Sequence, residues 1–347
     1  MRPMTILGTG TFLPELTVDN HQMSGIVDTS DAWILSRTGI SSRHLTAGES
    51  TSDMGESAAR KAIEAAGIAT DEISAIIVTT LTPDHFTPAT ACVIQARIGA
   101  KNAFCYDLNA ACTGFVYAFD VASRYLLDPE MGPILIISSE TLSKIVDYSD
   151  RTTCVLFGDA ASAVVVARPG YGQPDHSQSI DSDYPLLPGV LSSFMRAEGE
   201  SGGALVSAAL PVRHPFLAAE DIRPDPFGHE IGHYLSMNGQ DVFRFAVRAL
   251  ADSVRIATEK AGLSLQDIDW IVPHQANSRI MDAAVRRLQV APERVISRMS
   301  DLGNTSSASI PICLDELVRD GRLKKGQIVA ITGFGGGLTY GASVFRY

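Results

Sequence analysis

Cys112, in the stretch NAACTGF (Asn109–Phe115), stands where a thiol can be made nucleophilic. The run Ala103–Leu108 before it is apolar and reads as a buried strand. After it Phe115, Ala118/Phe119, Ala122 and Tyr125/Leu126 recur at three-to-four-residue spacing, so a helix follows. The spacing predicts strand, tight turn and helix, with Cys112 at the helix's first turn. Unpaired N–H groups and the positive end of the helix dipole lower a thiol's pKa there, and the thiolate is the nucleophile. Ala110, Ala111 and Gly114 leave room for a substrate and let backbone N–H groups approach it. The competing reading is a buried cysteine used as a small hydrophobe.

An internal repeat supplies the elements that must position it. Ser74–Thr80, strand then loop with HFTP, is echoed by Asp269–Asn277, strand then loop with PHQAN. Ala103–Leu126, strand, turn NAACTG and helix, is echoed by Val295–Val318 with the turn GNTSSA. Pro133–Ser138 is echoed by Gln327–Thr332, and Thr153–Ala167 by Gly337–Phe345. Order and spacing repeat together, which predicts two similar α/β halves, each a sheet covered by helices. Pseudo-equivalent turns of a duplicated fold meet near the shared centre. Cys112 then converges with Asn304, His274 and the glycine-rich FGGGLTYG, whose glycines can offer N–H groups to a developing oxyanion. Singly, each has a structural explanation: a satisfied loop histidine, a helix cap, a tight turn.

Composition bounds the rest. The chain has 347 residues, 45% hydrophobic, and a net charge of −11, which argues against bulk binding to nucleic acid or anionic membrane. No apolar run is long enough to span a bilayer, and the N-terminus lacks a signal-peptide layout. Five cysteines without pairing rhythm predict reduced thiols in a cytosol, and Cys92, Cys105, Cys154 and Cys313 read as core.

Other segments are read in chain order. Met4–Phe12 reads as a strand; its GTGTFL is followed by Pro14 and lacks the third glycine of a dinucleotide fingerprint. Ser30–Thr38 reads as a helix capped by Ser30 and stopped by Gly39, with Trp33 and Arg37 on one face. Thr152–Ala167 reads as two extended stretches. From about residue 171 to 235 periodicity is weak, an irregular excursion with a strand near Leu187–Met195. It holds HEIGH (His229, Glu230, His233), a formal match to a zinc-protease motif, but Pro226, Gly228 and Gly232 oppose the helix that motif needs. Gln240–Ala261 reads as an amphipathic helix carrying Arg244, Arg248 and Arg255 near one face, either a docking stripe for an acidic partner or a solvated face. The segments expected are 1–170 as a first half with the nucleophile, 171–235 as the excursion, and 236–347 as a second half with His274 and Asn304.

With these residues in place, the sequence resembles the thiolase superfamily, and within it the β-ketoacyl-acyl-carrier-protein synthase III family. The resemblance spans nearly the whole chain and rests on SDAWILSRTGI, DLNAACTGF, DRTTCVLFGDAA, VPHQAN, GNTSSASIP and FGGGLTYG. It implies a duplicated, layered α-β-α-β-α core. It makes Cys112 the acylated nucleophile, completed by His274 and Asn304, with the N–H groups of Cys112 and Gly336 as oxyanion donors. Trp33, Arg37 and Arg151 match positions that hold the adenine end of coenzyme A, and Ala276 and Asn277 match pantetheine contacts. Phe86 matches a residue bordering the acyl pocket of the partner subunit in the family homodimer. Arg244, Arg279, Arg286 and Arg287 match basic positions that dock the acidic carrier protein. Gln240 departs from an asparagine found in some members, and the excursion looks long.

The resemblance implies a two-step reaction without metal or nicotinamide. Cys112 takes an acyl group from coenzyme A; malonyl-acyl carrier protein then loses CO₂, with His274 and Asn304 donating hydrogen bonds to the thioester oxygen, and the carbanion attacks the acyl group. Fatty acid initiation in the cytoplasm is the first reading. A relative of specialised metabolism with an unusual acyl donor is the second, and a zinc hydrolase through HEIGH, or a non-catalytic binding protein, is a remote third.

Overall fold

The computed structural model describes residues 1–172, 187–207, 215–216, 227 and 234–347. The HEIGH residues lie outside the described residues. The strands are β1 (Arg2–Pro3), β2 (Thr5–Phe12), β3 (Leu16–Asp19), β4 (Ser42–Leu45), β5 (Ala75–Thr79), β6 (Phe104–Leu108), β7 (Ile134–Glu140), β8 (Ala160–Ala167), β9 (Gly189–Ala197), β10 (Leu205–Ser207), β11 (Leu235–Met237), β12 (Trp270–Pro273), β13 (Ile328–Gly335) and β14 (Thr339–Arg346). The helices are α1 (Asn20–Ser24), α2 (Asp31–Thr38), α3 (Thr51–Ala66), α4 (Thr90–Ile98), α5 (Gly114–Tyr125), α6 (Gly239–Lys260), α7 (Ser278–Leu288), α8 (Met299–Leu302) and α9 (Ser309–Arg319).

Among the described residues two five-stranded sheets carry the fold, in the orders β2-β8-β7-β5-β6 and β1-β9-β14-β13-β12. Their pairings repeat. β5 runs parallel to β7 as β12 does to β13, and β7 runs antiparallel to β8 as β13 does to β14. β2 pairs antiparallel with β8 as β9 does with β14. The counterpart of β6 in the second half shrinks to a single parallel bridge, Ile271 to Val295. β9 therefore completes the second sheet from within the stretch read as an excursion.

Strand alternation builds the layers. In β7, Ile134 and Ile136 face the centre while Leu135 and Ile137 face outward, all fully buried, as expected of strands covered on both sides. The central layer is α5 and α9, where Phe115, Phe119, Ile310, Leu314 and Leu317 pack between the two sheets. Each such side chain contributes roughly 1.5–3 kcal/mol on burial. α3 and α4 cover the first sheet through Met54, Ala58, Ala62 and Ile94, and α6 and α7 cover the second through Ala246, Leu250, Ile280 and Ala284. α3 lies close enough on β2 that a Cβ at Gly8 would meet the Ala66 nitrogen at 2.3 Å, so that position must be glycine. The result is the layered α-β-α-β-α arrangement that the family resemblance implies, built from the two α/β halves that the repeat predicts.

Three expectations are corrected. The segment Ala103–Leu108 is not a buried strand: among the described residues β6 pairs with β5 alone, which leaves its other edge unpaired by them, and Phe104 is 45% exposed. Thr152–Ala167 gives one strand, β8, not two extended stretches. The Asp150 carboxylate accepts from the Thr152 N–H at 2.9 Å and the Thr153 hydroxyl at 2.8 Å, which folds the β-branched run into a turn. Of the four cysteines read as core, Cys154 and Cys313 are buried, but Cys92 and Cys105 are half-buried, their sulfurs 3.2 Å apart.

Candidate active site

Cys112 lies between β6 and α5, in a short 3-10 turn at Ala111–Thr113 that precedes the helix proper. Asn109 accepts the N–H of Ala111 at 3.2 Å, and Ala111 takes a left-handed φ of 46°. The second half repeats this turn. Asn304 accepts the N–H of Ser306 at 2.9 Å, and Ser306 has a φ of 50°. Asn304 is thus the structural counterpart of Asn109, and Ser307 of Cys112. The backbone of Asn304 is fixed on both sides: its N–H donates to Leu156 at 2.9 Å and its carbonyl accepts from Gly158 at 3.0 Å.

His274 follows β12, its N–H held by the Thr332 carbonyl at 2.8 Å. Its imidazole is buried against Phe334, ring centroids 5.5 Å apart, and Nδ1 is 2.7 Å from the Ser309 hydroxyl. Cys112, His274 and Asn304 line one cavity of about 270 Å³ with Phe334 and Gly335. The turns of the two halves and the loop after β12 do converge.

Burial decides the protonation states. The Cys112 thiol is pushed up to about 12, by desolvation first, with the buried Glu140 carboxylate adding to it. The expected lowering is therefore corrected: loss of solvent outweighs the hydrogen bonds from Ser306 and from the Cys112 N–H that favour the thiolate. Burial also pulls His274 down to about 3, so the imidazole is neutral at physiological pH. Thiol and imidazole meet as a neutral pair.

Gly335 packs directly on the nucleophile. A Cβ there would meet the Cys112 nitrogen at 2.7 Å and its Cβ at 3.1 Å, so only glycine lets β13 pass. Gly336 follows just past the end of β13, while Gly335 is the one that lines the cavity with Cys112.

The cavity opens past Trp33, Arg37, Thr152, Ala276 and Asn277. The Ser30 hydroxyl caps α2 by accepting the Trp33 N–H at 3.2 Å, and Gly39 ends the helix with φ 78°. Asn277 donates from its amide to the Arg37 carbonyl at 3.0 Å and caps α7 by accepting the Arg279 N–H at 2.9 Å. This clamp holds the ends of α2 and α7 together and engages both polar atoms of the Asn277 amide. The Arg151 guanidinium lies 5.2 Å from the Trp33 ring centre, a cation–π pair at the mouth.

Other expected residues stand apart. Phe86 is 81% exposed, away from the cavity within this chain. Arg244, Arg279, Arg286 and Arg287 are exposed on α6 and α7, but Arg244 pairs with Asp241 at 2.6 Å and Arg287 lies 3.4 Å from Asp252. Arg248 and Arg255 are also paired, with Glu198 and Asp252 at 2.8 Å each, so the arginine stripe on α6 is largely neutralised. Gln240 is exposed, while its neighbour Gly239 lines the cavity.

Sequence reasoning missed the wall. Leu205 of β10 and Met237 of β11 flank the cavity, and so do Val155, Leu156 and Phe157. Buried Arg43 holds the last three in place by donating to the Val155 carbonyl at 2.7 Å. It missed Glu140 as well, a fully buried carboxylate that accepts from the Leu81 N–H, the Thr80 and Thr82 hydroxyls and the Ser307 hydroxyl at 2.9 to 3.2 Å. Nothing local in ISSETL marks that carboxylate as buried. Among the described residues no three of His, Cys, Asp and Glu are grouped as metal ligands.

Residues 106–183 match the family model described as 3-oxoacyl-[acyl-carrier-protein (ACP)] synthase III, and residues 258–347 match that of its C-terminal part. A β-ketoacyl-[acyl-carrier-protein] synthase III of Clostridium acetobutylicum is 43% identical over 347 residues, covering 100% of this chain and 99% of that one. The crystal structure of the Aquifex aeolicus 3-oxoacyl-[acyl-carrier-protein] synthase III superposes with a TM-score of 0.85 at 38% identity, over 99% of this chain and 100% of that one. The priming β-ketosynthase of the R1128 polyketide pathway superposes with a TM-score of 0.85 at 35% identity, over 99% and 96%. A duplicated α/β fold with a cysteine at the central turn defines a condensing-enzyme class, and the chain belongs to the β-ketoacyl-[acyl-carrier-protein] synthase III family.

Proposed function

We infer that this chain catalyses the decarboxylative condensation of an acyl-coenzyme A primer with malonyl-acyl carrier protein. The product is a 3-oxoacyl-acyl carrier protein, and the step initiates fatty acid synthesis. The observation that carries the reading is the single cavity in which Cys112, His274 and Asn304 meet below Trp33 and Arg37, in a chain of this family.

Cys112 is the residue we assign as nucleophile. Its sulfur attacks the primer thioester, coenzyme A leaves, and an acyl-enzyme remains. The thiol is neutral at rest, so its proton must move to a neighbour as the bond forms, and neutral His274 is the base within the same cavity. The N–H groups of Cys112 and Gly336 are assigned to the oxyanion. In the second step Asn304 is the donor to the malonyl thioester oxygen: its Oδ1 is engaged by Ser306, which leaves its amino group for the cavity. No metal or redox cofactor is assigned a role.

Trp33, Arg37 and Arg151 are assigned to the adenine end of coenzyme A, with Ala276 and Asn277 along the pantetheine arm. Their gathering at the mouth supports this for all but Asn277, whose amide already serves the α2–α7 clamp. Exposed Arg244, Arg279, Arg286 and Arg287 are assigned to carrier-protein docking. The open edge of β6 and the exposed ring of Phe86 support a homodimer in which a second copy covers them. Five free thiols support a cytosolic location, and no helix among the described residues is long and apolar enough to cross a membrane.

The test is intact mass of the protein after incubation with a panel of acyl-coenzyme A thioesters. An acyl adduct that vanishes in Cys112→Ala, followed by malonyl-carrier-dependent CO₂ release, is expected. The adduct's size names the primer: acetyl or a short branched chain fits fatty acid initiation, and a longer or functionalised one fits a role like that of the polyketide-priming relative. No adduct from any thioester would sink the reading.

A further inference from the structure

We propose that the Ser306 hydroxyl is a catalytic donor reserved for the Cys112 sulfur, which it bonds as the thiolate is expelled at the end of the condensation. The inference rests on the condensing-enzyme reading of the cavity. Ser306 stands two residues after Asn304 and is 1% exposed. Its backbone is engaged at both polar groups. The N–H donates to Asn304 Oδ1 at 2.9 Å, and the carbonyl accepts from the Ser309 hydroxyl at 2.9 Å and from the Ser309 N–H. Its hydroxyl is not so engaged. The oxygen is within reach of the Cys112 sulfur on one side and the Glu140 carboxyl on the other. Among the described residues it has no partner at full hydrogen-bond geometry.

Nothing in the turn itself calls for a hydroxyl. The equivalent left-handed position of the first half is Ala111, with φ 46° against 50°. Asn109 holds its N–H as Asn304 holds that of Ser306, and no hydroxyl is present. A left-handed serine and a buried hydroxyl without a close partner both cost stability, and such costs collect at functional sites. Glu140 does not need the hydroxyl either. The Leu81 N–H and the Thr80, Thr82 and Ser307 hydroxyls already serve it, four donors at 2.9 to 3.2 Å. That is about the whole lone-pair capacity of a carboxylate. The sulfur has less: besides Ser306, its own N–H favours its anion.

The demand for that donor comes late. In the acyl-enzyme the sulfur belongs to a thioester and is a weak acceptor, so the hydroxyl gains little from it. The carbanion then adds to the acyl carbon. The tetrahedral adduct collapses, the bond from that carbon to Sγ breaks, and its electron pair returns to the sulfur as a thiolate. Burial holds the thiol up to about 12, which makes this thiolate a poor leaving group. The Ser306 hydroxyl turns onto the sulfur as the charge appears, a bond strongest where the barrier lies. The thiol's own proton left with coenzyme A in the first step, so the expelled thiolate takes one proton from solvent and the free enzyme is restored.

The test compares the full chain with its Ser306→Gly variant, which deletes the hydroxyl and suits the left-handed backbone. Loss of a donor to a charged atom should slow alkylation of Cys112 by iodoacetamide about tenfold at fixed pH. Starting from preformed acyl-enzyme, the 3-oxoacyl product should fall about tenfold relative to the CO₂ released. The urea midpoint should stay at or above that of wild type. Unchanged alkylation overturns the proposal. So does a parallel loss of CO₂ and product with a lower urea midpoint, which is what a merely structural serine would give. If Ser306→Gly does not fold, Ser306→Ala, with the side chain found at Ala111, is read in the same way. If no thioester acylates the wild-type protein, the functional reading fails while alkylation still tests the contact between Ser306 and the sulfur.

Discussion

Asn304 accepts the backbone N–H of Ser306 through Oδ1 at 2.9 Å, and that one bond orients its amide. The oxygen is engaged inside the turn, so the amino group is the polar end left for the cavity. Asn304→Ala should therefore leave formation of the acyl-enzyme within a few-fold of wild type and lower malonyl decarboxylation by about a hundredfold, the usual loss when one oxyanion donor is removed. Intact mass reads the first step and released CO₂ the second. Loss of acylation in this variant would refute the division of labour.

The neutral state of Cys112 and His274 predicts how alkylation depends on pH. The thiol is held up to about 12 and the imidazole down to about 3. The thiolate fraction at pH 7 is then only about one part in a hundred thousand, and it grows tenfold with each pH unit. Modification of Cys112 by iodoacetamide should rise log-linearly from pH 6 to pH 9, with no inflection near 6.5. A plateau reached below pH 8 would mean a resting thiolate–imidazolium pair instead.

The same depression of His274 bears on stability. Its folded pKa lies below the unfolded value of about 6.5, so the unfolded chain gains a proton that the folded one refuses as pH falls. The stabilisation is present above pH 6.5 and is lost below it, by up to about 1.4 kcal/mol per pH unit. Urea midpoints measured between pH 7.5 and pH 5 should fall less steeply in a folded His274→Asn variant than in wild type. Parallel slopes would show that the buried ring does not carry this dependence.

Gly335 allows β13 to pass against the nucleophile. A methyl group there would meet the Cys112 nitrogen at 2.7 Å, a distance that cannot be kept. Gly335→Ala should cut acyl-enzyme formation by about a hundredfold or more, because a shift of about 1 Å in reacting groups costs that much. A far-ultraviolet circular dichroism spectrum like that of wild type would show that the fold survives. Wild-type acylation by the variant would place the critical contact elsewhere.

At the mouth, Arg151 lies over the Trp33 ring, 5.2 Å from its centre. If the pair holds the adenine end of coenzyme A, Arg151→Ala should raise the KM for the primer about tenfold and leave kcat nearly unchanged, since that end is remote from the reacting carbon. A fall in kcat at constant KM would assign Arg151 to the chemistry instead.

The sequence by itself determined the two-fold repeat, the helix that follows Cys112 and the cap and stop of α2, because hydrophobic spacing, Ser30 and Gly39 act over a few residues. It also determined which three turns could meet, since His274 and Asn304 occupy corresponding places in the second half. Tertiary structure decided what depends on distant neighbours. β6 became a sheet edge because no described strand lies beyond it. β9 joined the second sheet because β14 offered an edge to a stretch with weak periodicity of its own. The Cys112 thiol rose instead of falling because the helix N-terminus acts locally, whereas desolvation is the sum of everything packed around the sulfur. Ser309 and Glu140 were invisible for the same reason: a serine at a helix start and a glutamate at a strand end are ordinary in sequence, and only the closing of the two halves makes one the partner of a buried imidazole and the other a buried, hydrogen-bonded carboxyl group.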